Sequence, residues 1–419
     1  MMISGASANK PLGQRELVVM LALLMSLQAL AIDGMLPALD EMARELGAGE
    51  GNRRQLVVAT YLLAGGIGTL IPGALADRFG RRPVLLSSIA AYSLLSLAIA
   101  FVHDFTTLLV LRGIQGLLAA GLFVVPNAIV RDRYEGDQMA RLFSLISAVF
   151  ITVPVFAPSL GQAILLFAGW RWIFIILAGL GCLAVLWTWA RLPESLHPEY
   201  RQDVHLPTIV HNMRVALCHR GSVGYVLGTS LLIGSVFGYV NSAQQLIGEH
   251  FKAGEWFPVV FGCTAAMMVV SNVVNSRIVE RFGARRVSHA GVLIFIAVSV
   301  VQVWAAFYRD GELAWFLPLM ALNLMLLGFL GANFGSIAMQ PFSHIAGAAA
   351  SVQSFFRMFG AAVVGLVIGQ AYDGTARPFA LALLIGSTSA LLLVLFSEKG
   401  QLFRRLNKPG SGPGVPQVD

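Results

Sequence analysis

Asp33 lies inside an apolar run at residues 17–39, and Arg112 lies inside another at 106–130. Of the 22 acidic residues, Asp33 alone stands well within such a run; Asp77, Glu280 and the rest fall at run ends or in loops. An ionisable group at the centre of a membrane-spanning helix costs roughly 2.5–3.5 kcal/mol on insertion scales, so each one kept there calls for a partner or a function. Counted at 1.5 Å per residue from the run centres, Asp33 and Arg112 sit about 7–8 and 9 Å from the midplane, on the same side. Two chemistries fit an acid and a base at one depth. One is a structural ion pair; the other is a protonation switch, a carboxyl that gains and loses a proton as its surroundings change. Gly34 and Pro37 beside Asp33 favour the switch, because broken backbone at depth is tolerated where it lines protein or a water-filled cavity. Arg357, near the middle of a third run, is a further cation that cannot shed its proton. It faces either structural acceptors or a cavity.

The elements that must position these groups are long apolar helices. The chain of 419 residues is 57% hydrophobic and 12% charged, too apolar for a soluble globule. Twelve runs of roughly 20 or more residues can each cross the bilayer: 17–39, 54–76, 83–102, 106–130, 141–166, 171–192, 222–246, 255–279, 287–308, 313–335, 342–370 and 376–396. The fold expected is an all-α membrane protein. A net charge of +7 would suggest nucleic acid in a soluble chain, but here the basic residues mark topology and no nucleic-acid partner is expected. Of 29 Lys and Arg, seven (Arg44, Arg53, Arg54, Arg171, Lys252, Arg309, Arg377) fall in one set of loops and two (Arg112, Arg357) within runs; the others fall in the alternate loops and termini. By the positive-inside rule both termini are then cytoplasmic. All seven tryptophans lie near run ends, as interfacial belts require. The first run is read as a helix and not as a removed signal peptide. Cys182, Cys218 and Cys263 show no metal spacing and are expected to be free thiols.

Residues 1–192 and 222–398 form two six-helix halves, joined by a polar linker at 193–221 and followed by a basic, disordered tail at 399–419. Four linker histidines (His197, His205, His211, His219) lack the tight spacing of metal ligands, and no metal is expected. No phosphate-binding loop and no paired nucleophile and base point to an enzyme.

The halves share a motif. Gly73-Ala-Leu-Ala-Asp77-Arg78-Phe-Gly80-Arg81-Arg82-Pro83 joins the second and third runs, and a near copy, Ile278-Val-Glu280-Arg281-Phe282-Gly283-Ala-Arg285-Arg286, joins the eighth and ninth. Repeated turns between spans indicate internal repeats of a transporter. The first copy resembles the G-x-L-x-D-R-x-G-R-[RK] loop of the major facilitator superfamily throughout. Ala31–Leu39, Leu111–Gly116, Ala128–Asp132, Gly169–Phe174 and Ala346–Ser351 resemble, more narrowly, its drug:proton antiporters of the bicyclomycin and chloramphenicol resistance type, over about Gln28 to Phe396.

The resemblance implies twelve helices in two pseudo-symmetric six-helix bundles in a bacterial inner membrane, acting as a monomer. It implies export of small amphiphilic drugs in exchange for protons, with the proton gradient as energy source and no cofactor. In such antiporters the helix 1 acid, here Asp33, carries the proton. The helix 4 arginine of an R-x-x-Q-G motif, here Arg112, Gln115 and Gly116, controls that charge. A relay from Asp77 through Arg81 to Asp132 closes the cytoplasmic side, with Gly73, Arg78, Gly80 and Arg82 completing the gate motif. Asp77 at the inner end of helix 2 can also cap the start of helix 11 near Ser343 and His344. Glu280 keeps the charge on a longer arm and is expected to matter less. Candidates for the substrate cavity are Tyr61, Gln115, Asn127, Tyr239, Asn333 and Arg357. Gln302, Asn323 and Gln353 can equally bond between helices.

The chain departs from the pattern at three places. Ala157-Pro158-Ser159-Leu160-Gly161-Gln162 replaces G-P-x-x-G-G, which predicts altered packing of helix 5 on helix 8. Asn127 stands where many members have Arg. Met25 stands where some carry a second acid, so one proton per turnover is expected through this half. Two alternatives remain open: export of an endogenous sugar or amino acid derivative, and a membrane receptor that binds without transporting.

Overall fold

The computed structural model describes residues 12–403 apart from 50, 135, 197–198, 200–206, 208–210, 212–213, 216–217, 311 and 343–345. Among the described residues, eleven helices are long and apolar enough to cross a membrane, and a bent pair makes a twelfth. In chain order the spans are α1 (Gln14–Asp33), α2 (Leu56–Gly68 and Pro72–Phe79), α3 (Arg81–Ile99) and α4 (Phe105–Ala119 and Gly121–Arg133). Next come α5 (Gly136–Phe167), α6 (Arg171–Arg191), α7 (Arg220–Gln244) and α8 (Phe257–Phe282). The last four are α9 (Ala284–Tyr308), α10 (Leu313–Met339), α11 (Ala346–Phe355 and Ala361–Gln370) and α12 (Arg377–Ser397).

Four of these spans are interrupted, α4 briefly at Ala120 and three others more markedly. Pro37 has no N–H to offer the Asp33 carbonyl, so α1 stops at Asp33. The chain passes through Gly34 and Met35 into a 3₁₀ turn at Leu36–Ala38 and a short helix at Leu39–Glu45. Span α2 bends by 44° just ahead of Pro72. In α11 a π-helical turn, Phe356–Gly360, separates the two α-helical parts. The Ser230 hydroxyl of α7 donates to the Phe356 carbonyl of that turn at 2.6 Å.

Packing repeats between the two sets of six. Helix α1 lies against α5, α2 against α4 and α3 against α6; α7 likewise lies against α11, α8 against α10 and α9 against α12. The seams between the sets are α2 on α11 and α5 on α8, which are counterparts under the same pseudo-symmetry. Glycines permit the closest approach. A Cβ added at Gly116 of α4 would run into the Tyr61 carbonyl of α2, and one at Gly68 into the Leu117 carbonyl. Gly66 does not share that contact: it abuts Phe359 across the α2–α11 seam. Altered packing is expected between α5 and α8, and the close approach there comes from α8. Gly262 of α8 closes on the Val155 carbonyl, whereas Gly161 of α5 packs on Gly34 of α1.

The two copies of the basic turn have one backbone form. Gly80 and Gly283 have φ of 102° and 83°, in the left-handed region that favours glycine, and each joins consecutive helices directly. Five tryptophans (Trp172, Trp189, Trp256, Trp304, Trp315) are exposed near helix ends, as interfacial anchors should be. Trp170 departs from that expectation. It is fully buried, its Nε1 donating to Glu45 at 2.6 Å. Asp104 caps α4, and hydrogen bonds from the Thr107 side chain and N–H hold its carboxyl below the ordinary range. His197, His205, Ser343, His344, the side chain of Glu280 and the tail from 404 to 419 lie outside the described residues.

The α2–α4 contact yields a prediction. Gly116→Leu forces the two backbones apart and should destabilise the protein by roughly 1–3 kcal/mol, the usual cost of overpacking. A thermal unfolding midpoint in detergent checks it; an unchanged midpoint would show that α2 and α4 do not depend on this approach.

Candidate functional site

Arg112 is fully buried and serves as a three-way clamp. Its Nε donates to the Val57 carbonyl of α2 at 3.2 Å, one terminal nitrogen to Gln115 Oε1 at 2.7 Å, and the other to the Ala31 carbonyl of α1 at 3.1 Å. The guanidinium also lies over the Tyr61 ring, 4.3 Å from its centroid. Gln115 passes the network on to Ser96 Oγ at 2.8 Å, and Ser96 bonds the Tyr92 carbonyl. The Tyr92 hydroxyl returns to α1 at the Leu27 carbonyl, 2.9 Å away.

The break in α1 explains why Arg112 is there. Gly34 N–H still closes on the Leu30 carbonyl at 3.0 Å, but the next carbonyl, Ala31, lies in the last turn of a helix that does not continue. Helix ends leave such carbonyls without a partner and carry negative partial charge, so a guanidinium suits both needs.

Asp33 stands two residues on, at the C-terminus of α1, 6% exposed. Among the described residues no hydrogen bond or ion pair reaches its carboxyl. The ion pair with Arg112 that equal depth suggests is therefore not formed in this conformation. Arg112 instead holds the backbone on which Asp33 sits.

The first basic turn assembles as a cluster. Arg81 reaches Asp77 at 2.5 Å and Asp132 at 2.9 Å through Nε, with a longer contact of 3.4 Å to the second Asp132 oxygen. Ser195, just beyond α6, donates to Asp132 at 3.0 Å. Glu194 accepts the backbone N–H groups of Arg81 and Arg82 at 2.9 and 3.2 Å. A carboxylate there satisfies orphan donors at the N-terminus of α3. From sequence Glu194 reads only as the first charge of a solvated linker. Arg82 bonds the Trp189 carbonyl at 2.6 Å, and Arg78 lies over the Phe79 ring.

The proposed cavity residues divide. Tyr61, Gln115, Tyr239 and Asn333 are 1%, 0%, 2% and 3% exposed, and they belong to helix packing. Tyr239 stacks on Phe261 and bonds Thr264 at 3.2 Å; Asn333 exchanges amide bonds with Asn275 at 3.0 and 3.1 Å. Asn127 is partly buried and bonds back to the Phe123 carbonyl of its own helix. Arg357 alone of the six combines partial exposure with the absence, among the described residues, of a bonding partner.

A second polar assembly lies at the end of the bundle opposite the basic turns. Arg54 bridges Asp40, at 2.8 Å, to Glu249 of the other six-helix set. Asn52 Nδ2 donates to the Gln370 and Tyr372 carbonyls at 3.0 and 2.7 Å, and Gln370 Nε2 donates to the Asn52 carbonyl at 3.0 Å. Buried Gln55 and Gln245 bond to each other beside them. Hydrogen bonds between the two sets cluster here. Sequence reasoning counted Arg54 only as a loop charge, and nothing local signals pairings across more than 190 positions.

The family described as Major Facilitator Superfamily matches residues 21–365. A bicyclomycin resistance protein homolog of Haemophilus influenzae is 25% identical, covering 86% of this chain and 90% of its own. A chloramphenicol resistance protein of Pseudomonas aeruginosa is 28% identical, covering 88% of each. The fold is similar to the xylose transporter XylE of E. coli in a partially occluded inward open conformation. The TM-score is 0.66 at 14% identity, over 91% of this chain and 96% of that one.

Arg112→Lys tests the clamp. One ammonium cannot serve Val57, Gln115 and Ala31 together, and each charge-assisted bond lost costs about 1.5–3 kcal/mol. The variant should insert yet melt earlier and transport poorly; wild-type melting and transport would reduce Arg112 to a bare charge.

Proposed function

The chain belongs to the Major Facilitator Superfamily, and on that premise we propose that it exports small amphiphilic drugs in exchange for protons. It is a multi-pass membrane transporter and not an enzyme. The observation that carries the finer reading is Asp33: a carboxyl buried in the membrane interior, at a helix break, with no counter-ion among the described residues. A carboxyl so placed can take up and release a proton without breaking an ion pair, which is what a carrier of protons requires. Arg112 fixes the break without neutralising the acid. The names of the two resistance relatives support drugs as the class of substrate.

In this reading the protein resides in the bacterial inner membrane with both termini cytoplasmic. The basic turns are then cytoplasmic and the Arg54 assembly external. Arg54, Asn52, Gln55, Gln245, Glu249 and Gln370 form the external closure, so this conformation is closed to the outside. The Asp77–Arg81–Asp132 cluster is the inner gate's half on the first bundle, ready to meet the second bundle when the protein turns outward. The proton gradient is the energy source and no cofactor takes part.

Asp33→Asn should insert normally and lose pH-driven efflux in proteoliposomes. Full proton-coupled efflux by this variant would remove Asp33 from the mechanism. Arg54→Ala removes both of its ion pairs and, at the 0.2–1 kcal/mol typical of exposed pairs, should shift the inward–outward balance a few-fold toward the outward state. Labelling of single cysteines near residues 52 and 245 should rise; unchanged labelling would assign the external closure to other contacts.

A further inference from the structure

The two arginines within the spans are treated in opposite ways. Arg112 is fully buried, bonded to three acceptors and stacked on an aromatic ring. Arg357 is partly accessible, its Nε is enclosed without an acceptor, and no hydrogen bond, ion pair or ring contact reaches its side chain among the described residues. It lies near the centre of α11, on the π-helical turn. A guanidinium there stays charged, and a buried charge without a partner is strongly destabilising. A fold that keeps such a group leaves it for something that arrives.

The surroundings indicate what arrives. Helical spacing puts Arg357 on the side of α11 that carries Ala361 and Ile368, 0% and 6% exposed, away from Val363 and Val367, which are 39% and 62% exposed. Arg357 therefore stands on the protein-facing side of α11 and not on the lipid-facing side. At this turn α11 is held to α7 by the Ser230 bond and touches α2 where Phe359 meets Gly66, so it stands at the seam between the two bundles. The Phe355 and Phe359 rings stack with centroids 5.3 Å apart, and Phe356 packs edge-on against Phe355. These rings stand one or two positions from Arg357 on the turn and make no contact with it, so the recognising group is the guanidinium itself, and an unpartnered fixed cation suits the anionic head of an amphiphile. Carboxylates match the guanidinium fork best, because they accept two parallel bonds.

We propose that Arg357 anchors the carboxylate or equivalent anionic group of the transported amphiphile, so that the exporter prefers lipophilic anions to lipophilic cations. The inference rests on the transport reading above and names its substrate class. Arg112 does not compete for the anion, since carbonyls and Gln115 already occupy its donors. A permanently cationic drug would meet the Arg357 charge unscreened by any counter-ion.

The test is equilibrium binding to the purified full-length protein, without a pH gradient, of three matched probes: an aryl carboxylate, its methyl ester and a quaternary ammonium of equal size. The wild type should bind the carboxylate roughly tenfold or more tighter than the ester, as one charge-assisted bond supplies. Arg357→Gln should abolish that preference while keeping the wild-type elution profile, and Arg357→Lys should restore part of it. Equal binding of carboxylate and ester, tighter binding of the quaternary ammonium, no saturable carboxylate binding, or an undiminished preference in Arg357→Gln would each overturn the proposal. Carboxylate binding that depends on Arg357, with no proton-driven efflux of any probe, would count against the exporter reading and leave the anchor standing.

Discussion

The Ala31 carbonyl and the guanidinium of Arg112 form the contact on which the rest of the site depends. Hydrocarbon offers a backbone carbonyl no alternative partner, so a helix cannot stop inside a membrane unless protein takes up the freed groups. Pro37 stops α1 at Asp33, and Arg112 accepts the consequence from a neighbouring helix. The same side chain reaches the Val57 carbonyl of α2, and Gln115 and Ser96 extend the bonding to α3. A single buried cation thus sets the relative position of the helices around the acid. The Asp33 carboxyl is left without an ion pair because the Arg112 donors are committed elsewhere.

That arrangement also separates two tasks which an ion pair would merge. A direct Asp33–Arg112 pair would have to break whenever the acid took a proton, leaving an uncompensated charge at depth. With Arg112 bonded to carbonyls, protonation of Asp33 leaves the clamp intact. Whatever motion follows can then be borne by the seams. There Gly66 meets Phe359 and Gly262 meets Val155, small residues against larger neighbours, without the polar bonds found at the Arg54 end.

Much of this was legible in the sequence, because membrane constraints are written locally. Each apolar run became a span, and Gly80 and Gly283 announced two copies of one turn with one backbone form. Depth counting put Asp33 and Arg112 in the same neighbourhood but could not say which atoms meet. Guanidinium donors choose among carbonyls freed by a break that begins four residues before a proline. Asn333 and Tyr239 show a second limit. A polar residue in a span reads alike whether it faces a cavity or, as here, Asn275 and Thr264 on a neighbouring helix. The Arg54 assembly shows a third: Asn52 meets Gln370 only because the two bundles are packed together, and no period or motif encodes that.

The repeat itself carries an asymmetry with mechanical meaning. In the first turn Arg81 follows Gly80 and binds Asp77 and Asp132, while Glu194 caps the helix that Arg81 begins. In the second turn Ala284 follows Gly283, and no arginine stands at that place. Arg285, one residue on, turns to Glu398 at 2.8 Å and Gln340 at 2.8 Å. Glu398 in turn accepts from Tyr225, which meets buried His289. The second turn is therefore tied to α7, α10 and the end of α12, all within its own bundle. In the first bundle Asp77 keeps 46% of its side chain exposed while holding Arg81, which leaves carboxylate surface available to a partner. A gate needs one fixed jaw and one with unspent valence. In the gate proposed above, the cluster around Asp77 would be the second and the network around Glu398 the first.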